Sequence, residues 1–139
     1  MSRKAAQQLA AARVRATGDR VTPARVQVLA QLLAGGRALT HHELEASLGS
    51  GRLDRVTLYR VLDWLVAQGL AHRMSGTDRA WRFSAADRRH DAHAHFQCNR
   101  CGKVVCLEEA RTRRAPPVPH GFRAEAVETT VKGLCATCA

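Results

Sequence analysis

Apolar residues recur at three- and four-residue intervals as far as Ala67 and alternate more loosely with polar ones beyond it. The first spacing lines one face of a helix; the second lines one face of a strand. Lys4–Ala16, rich in Ala, Gln and Leu, predicts an exposed helix. Thr22-Pro23 offers an N-cap followed by proline at the first helical position. Val26, Leu29, Leu32 and Leu33 carry that second helix until Gly35-Gly36 stops it. Thr40-His41-His42-Glu43 has the Ser/Thr-x-x-Glu spacing of a capping box and opens a short helix with Leu44 and Leu48, broken by Gly49-Ser50-Gly51. Asp54 caps a further helix to about Ala67, striped by Leu58, Val61, Leu62 and Leu65 and ended by Gly69.

Leu70–Met74 and Ala80–Ser84 read as two short strands, with Ser75-Gly76-Thr77-Asp78 as the turn between them. Three helices and a hairpin form the order of a winged helix, and the two short helices joined by a glycine-containing turn resemble a helix-turn-helix. A generic helical bundle with a hairpin fits the same pattern. Ala85–Asp91 is polar and charged and makes a hinge. Past it, His95–Gln97, Val104–Leu107 and Phe122–Val131 predict strands, with Pro116-Pro117-Val118-Pro119 as a stiff linker. The predicted class is α+β: a winged-helix domain over residues 1–85, a hinge over 86–91 and a small second domain over 92–139.

Composition adds a partner. The formal net charge is +10 and aromatic residues make up only 4%, so Leu, Val and Ala must fill the core. Residues 1–85 hold 13 Lys and Arg against 6 Asp and Glu, and residues 86–139 hold 9 against 6. A basic surplus concentrated in a winged helix points to nucleic acid, with an anionic membrane surface second. Met1–Thr17 mixes basic residues with Ala and Gln and has no apolar run, and nothing later approaches a membrane span, so a cytoplasmic location is expected.

Five cysteines lie at or after Cys98, four of them in Cys98-Asn99-Arg100-Cys101-Gly102 and Cys135-Ala136-Thr137-Cys138. Each pair can curl into a turn that aims two sulfurs at one ion, and four thiolates suit tetrahedral zinc in a closed, structural site. An iron–sulfur cluster and a dithiol redox switch are the alternatives. The clamp ties the C-terminus to the middle of the chain and supplies folding energy that a domain of some 50 residues lacks. A site that never releases its ion cannot sense. The surplus donors His72, His90, His93, His95, Cys106, Asp87 and Asp91 bracket the junction of the two domains, where an exchangeable ion would fix their relative angle. On the helix after Asp54, Arg55, Thr57, Tyr59 and Arg60 lie off the apolar stripe, as base and phosphate contacts of a recognition helix do. Arg52 stands just before that helix. Arg25 and the wing-turn Arg79 are candidate clamps on the DNA backbone, and Lys4, Arg13 and Arg15 add a basic N-terminal face.

Five segments in this order resemble the ferric uptake regulator family. They are Val21-Thr22-Pro23-Ala24-Arg25, Val56-Thr57-Leu58-Tyr59-Arg60-Val61-Leu62, Gln68-Gly69-Leu70, His93-Ala94-His95-Phe96-Gln97-Cys98-Asn99-Arg100-Cys101-Gly102-Lys103-Val104 and Gly133-Leu134-Cys135-Ala136-Thr137-Cys138. Cys-Asn-Arg-Cys-Gly, Gly121-Phe122 and the closing Gly-Leu-Cys-x-x-Cys look most like its zinc uptake regulators. The resemblance implies a homodimer with N-terminal winged helices and C-terminal α/β dimerisation domains, holding one structural and one regulatory metal per subunit. It implies a repressor of metal-uptake genes that binds AT-rich, near-palindromic double-stranded operators when metal-loaded. It also implies regulatory ligands at His72, His93, His95 and Cys106, with Asp87, His90 and Asp91 as substitutes. Family members usually carry a carboxylate where Cys106 stands, and a thiolate there favours zinc over iron or manganese. A histidine used by iron and peroxide sensors falls at Ala38, and a cysteine used by some zinc regulators falls near Phe83.

Two other functions stay open: a family repressor sensing iron or manganese, and a zinc-ribbon protein that binds nucleic acid without sensing. An enzyme acting on a small-molecule substrate is not expected. A zinc deaminase needs a His-x-Glu upstream and a Pro-Cys-x-x-Cys, yet Gln97 and Leu134 precede the two cysteine pairs.

Overall fold

The computed structural model describes residues 1–49, 53–75, 78–86, 92–107, 116–124 and 127–139, and for Ala92, His93, Cys106, Val127 and Glu128 the backbone alone. Helix α1 spans Arg3–Ala16, capped by the Ser2 hydroxyl, which accepts from the Ala5 amide at 3.1 Å. The expectation of an exposed helix holds for only part of its surface. Ala6, Ala10 and Val14, spaced four apart, are fully buried against α2, Pro23–Gly35. Alanine on that stripe lets the two helix backbones approach closely, which its modest hydrophobicity conceals in the sequence. Thr22 caps α2 by accepting from the Arg25 amide at 3.2 Å, and Gly36 ends it at φ 63°, the left-handed backbone that glycine adopts without strain.

A two-residue strand that the pattern did not predict, β1 (Leu39–Thr40), precedes helix α3 (His41–Leu48). The capping box of α3 forms in both directions. Thr40 Oγ1 accepts from the Glu43 amide and Glu43 Oε1 accepts from the Thr40 amide, each at 3.1 Å. Helix α4 (Arg55–Ala67) starts on Asp54, whose carboxylate accepts from the Thr57 amide at 2.6 Å. Bonding to the Thr57 hydroxyl and amide holds that carboxyl below its ordinary pKa.

The wing strands are β2 (Ala71–Ser75) and β3 (Trp81–Ala85), and β1 joins them in an antiparallel sheet of order β1-β3-β2. Val14, Val28, Leu29, Leu44, Leu58, Leu62, Leu65 and Phe83 form one core beneath this sheet and the four helices. A fully buried side chain of this size contributes roughly 1.5–3 kcal/mol, so this half carries its own stability.

The second half is thinner. Strands β4 (Ala92–Cys98) and β5 (Val104–Leu107) pair antiparallel, and β6 (Val127–Gly133) runs parallel to β4, giving the order β5-β4-β6. The strand expected over 122–131 therefore starts later. Its first partner is Ala92, which meets Val127, while Phe122 lies outside the sheet and 70% exposed. Among the described residues no helix follows Ala67, and 108–115 lie outside them. The only apolar residues buried past the wing are Ala86, Ala94, Cys98, Val104 and Cys135, again among those described. Among the described residues a backbone bond joins the two halves, from the Ala38 N–H just before β1 to the Val104 carbonyl of β5 at 2.9 Å. The expected hinge at 86–91 falls outside the described residues after Ala86.

Candidate metal sites and nucleic-acid interface

Strand register assembles the four cysteines. Cys98 ends β4, and the parallel pairing sets it beside Gly133, two residues before Cys135. Gly102, at φ 77°, turns the chain back so that the Cys98 amide reaches the Lys103 carbonyl at 2.9 Å and β5 begins. The Asn99 amide donates to the Gly133 carbonyl at 2.7 Å, and Arg100 Nη1 donates to the Cys138 carbonyl at 3.3 Å, which stitches the two turns together. All four sulfurs then lie within 4.8 Å of one another. The Cys101 and Cys135 sulfurs are 3.7 Å apart, far beyond a disulfide bond, and close to the edge of about 3.8 Å that four zinc–sulfur bonds of about 2.3 Å generate in a tetrahedron.

The hydrogen bonds around the sulfurs favour charge. Cys98 Sγ accepts from the Cys101 amide at 3.5 Å and the Cys135 amide at 3.4 Å, which pulls its pKa down to about 5. The Cys138 amide lowers Cys135 as well. Cys138 is pushed the other way, to about 12, because its thiol shares a proton with the Cys135 sulfur among like-charged neighbours. The amides thus favour a thiolate at Cys98, while the crowded sulfurs favour a proton on Cys138. A divalent cation that prefers sulfur would displace that proton and neutralise the group, so the residues present fit zinc.

Of the residues expected at a second site, two have described side chains. His72 on β2 and His95 on β4 come from different sheets, yet their rings lie 6.0 Å apart between centroids and nearly perpendicular, at 76°. Two imidazoles that share one ion at about 2.0–2.1 Å from nitrogen have centroids no more than about 6.5 Å apart, so the pair is within that reach. Backbone pairing sets Cys106 across from His95, and His93 lies two residues earlier on the same strand, across from Glu128. The side chains of His93 and Cys106, and the substitutes Asp87, His90 and Asp91, are outside the described residues. His72 and His95 belong to a polar seam. The polar side chains buried among the described residues are His72, Arg82, Ser84, His95 and Gln97, and Ser84 is the cross-strand partner of His72. Arg82 grips Asp78 of the wing turn through both terminal nitrogens, at 2.8 and 2.9 Å, and its Nη2 stands next to Gly102 of the cysteine turn. Ala38 is buried and its amide is spent on β5, while Phe83 fills the core, so neither offers a ligand.

Of the expected DNA contacts, Arg55, Tyr59 and Arg60 stand exposed on α4, and Thr57 is half-buried in its first turn. Arg52 is outside the described residues. Arg25 lies in a place the sequence did not suggest. Its guanidinium covers the Trp64 ring at 3.8 Å, and its Nη1 donates to the Arg20 carbonyl at 2.7 Å. Trp64 in turn donates its indole N–H to Asp19 at 3.1 Å, so Arg25 helps to lock α2 against α4. Arg79 takes a left-handed φ of 63° on the wing turn. Val56 belongs to the family-like segment but was not among the expected DNA contacts. It is 59% exposed, one turn before Tyr59 and Arg60, an apolar side chain left outside the core stripe. Its offset of three from Tyr59 was the clue.

A model of the ferric uptake regulator family matches residues 16–128. The zinc uptake regulation protein of Escherichia coli strain K12 is 29% identical over 126 residues, which span 86% of this chain and 72% of that protein. The fold is shared with holo XcZur, at TM-score 0.69 and 24% identity over 98% of this chain and 97% of that one. It is shared equally with a zinc uptake regulator solved in complex with zinc and DNA, at TM-score 0.66 and 24% identity over 99% and 95%.

Proposed function

The chain belongs to the ferric uptake regulator family, and from that premise we propose that it is a zinc-responsive repressor, a cytoplasmic homodimer that binds AT-rich, near-palindromic operators of metal-uptake genes. As a family member it is a transcription regulator and not an enzyme. Among the described residues no helix is long and apolar enough to cross a membrane.

The observation that carries the reading is the His72–His95 pair, which joins the wing sheet to the second sheet apart from the cysteine cluster. In this reading the chain divides into a DNA-binding domain (1–85), a hinge (86–91) and a dimerisation domain (92–139). Cys98, Cys101, Cys135 and Cys138 hold a permanent zinc. His72, His93, His95 and Cys106 hold an exchangeable one, which supplies a cross-link between the domains when bound. Those residues then fix the angle of the winged helix, which without the ion is held, among the described residues, by the Ala38–Val104 bond and the polar seam. Sulfur at Cys106 and the name of the Escherichia coli relative favour zinc over iron or manganese. On the DNA side, Arg55 and Arg60 supply charge, Tyr59 and Val56 meet thymine methyl groups, and Thr57, Arg52 and Arg25 contact the backbone.

A zinc titration of the purified protein, followed by binding to an AT-rich palindromic duplex, tests this. The expected result is two zinc ions per chain, with DNA affinity rising only as the second binds. One ion per chain and zinc-indifferent binding would leave a non-sensing zinc ribbon. Arg60→Ala should weaken operator binding about 10- to 100-fold with zinc content unchanged, as a gel-shift titration would measure. Unchanged affinity would mean that α4 is not the recognition helix.

A further inference from the structure

The metal reading leaves His41 and His42 of the N-terminal half unused, and the setting of His41 is specific. It is the first residue of α3, immediately after the Thr40 cap, so the two-way capping box fixes its backbone. Its ring stacks on Tyr59 of α4 with centroids 3.9 Å apart and planes within 11°. Four residues on, Glu45 lies 3.9 Å from His41 Nδ1 and 3.8 Å from Arg55 Nε. Two links, His41–Tyr59 and Glu45–Arg55, thus run from α3 to the outward face of α4, where Tyr59 and Arg55 stand in a cleft of about 500 Å³ against the wing residues Arg73 and Trp81. The two stacked residues differ in exposure. The His41 side chain is 13% exposed, and Tyr59 is 48% exposed. One face of the phenol is therefore covered and the other is left to a ligand. His41 Nε2 is buried and has no hydrogen-bond partner among the described residues, so this imidazole acts through its face.

We propose that His41 is a positioning residue for DNA recognition, holding Tyr59 by stacking in the orientation that meets the operator. The proposal rests on the reading of Tyr59 as a DNA contact. A tyrosine on a helix surface otherwise samples several rotamers, and binding must select one. A stacked aromatic partner makes that selection before DNA arrives, and an offset or parallel aromatic pair is strong enough to shift affinity by about threefold to tenfold. The capping box holds the start of α3 and the ring stack reaches Tyr59, so the orientation passes from the capping box of α3 to the reading face of α4.

The test is a double-mutant cycle on the zinc-loaded full chain, using a duplex that the protein itself selects from a random-sequence pool. His41→Ala should lower affinity about threefold to tenfold, and His41→Phe, which keeps the stack, should restore it. In a Tyr59→Ala background His41→Ala should have no further effect, because nothing remains to be positioned. His41→Leu fills similar space without a ring face and should behave like the alanine variant. It also carries the comparison with His41→Phe should the alanine variant fail to fold. Additive effects of His41→Ala and Tyr59→Ala, or equal affinities for the leucine and phenylalanine variants, would reduce His41 to helix packing and overturn the proposal. If Tyr59→Ala alone leaves affinity intact, the DNA contact itself fails, an outcome separate from a weakened Tyr59→Ala beside an unaffected His41→Ala.

Discussion

Cys98→Ser should strip the protein of its tightly held zinc and unfold the second half of the chain, while the winged helix keeps its structure. Cys98 is fully buried, is the sulfur to which two backbone amides point, and joins β4 to the turn after β6. A serine hydroxyl offers neither the thiolate nor the length to replace it. The scale of the loss follows from what else holds that half together. Its buried apolar residues are few and small among those described, whereas the Leu, Val and Phe core belongs wholly to residues 14–83. Structural zinc contributes apparent binding energies on the order of 10–16 kcal/mol in small zinc-folded peptides, at or above the total stability of an ordinary domain of roughly 5–15 kcal/mol. Metal analysis should therefore find less than one zinc per chain. Circular dichroism should keep the helical signal of α1–α4 while the strand contribution falls, and the dimer should dissociate on a sizing column. A variant that holds two zincs and elutes as a dimer would show that the clamp is dispensable.

The cysteine cluster was readable because its geometry is local. Two residues between paired thiols decide how a turn can aim them, and no partner elsewhere in the chain is needed to see it. The helix caps were readable for the same reason, and Thr22, Thr40 and Asp54 each bond as their spacing predicts. Features set by distant partners were hidden. Strand β1 is two residues long and exists because Leu39 and Thr40 meet Phe83 and Arg82. The start of β6 is fixed by where β4 begins, so apolar alternation from Phe122 onward suggested a longer strand than the pairing allows. Alanine hides a packing face, since Ala6 and Ala10 are as buried as any leucine. The Arg25–Trp64 and His41–Tyr59 contacts join helices across 39 and 18 positions, and no periodicity within one helix encodes them. The donors proposed for the regulatory site stood between these cases. Their residue types and crowding at the domain junction were visible, but that His72 and His95 face each other depends on how the two sheets dock.

That docking is where the second large effect is expected. His72→Ala should leave the cysteine-bound zinc and the DNA-binding surface in place, and abolish the rise in operator affinity that added zinc produces. His72 is on β2 and His95 on β4, so an ion shared between them spans the junction, and removing His72 leaves the proposed donors His93, His95 and Cys106 all on one side of it. A ligand shifts a conformational balance only by its differential affinity for the two states, and donors confined to one domain provide none. Coupling between sites of this kind is typically about 5- to 150-fold in affinity, and the variant should bring that ratio to about one. The ratio is the informative quantity. Truncating a buried histidine also lowers stability by about 1–2 kcal/mol, but this affects zinc-loaded and zinc-depleted protein alike and cancels between them. His95→Ala, which leaves the bridge one donor short, should lower the ratio as well, and the double variant should be no worse than His72→Ala alone, because the bridge is already gone. Fluorescence anisotropy with labelled operator, at zinc concentrations buffered above and below the transition, reads the ratio directly. A His72→Ala protein whose operator affinity still climbs with zinc would move the sensing site off the sheet junction and leave the two histidines as packing within a polar seam.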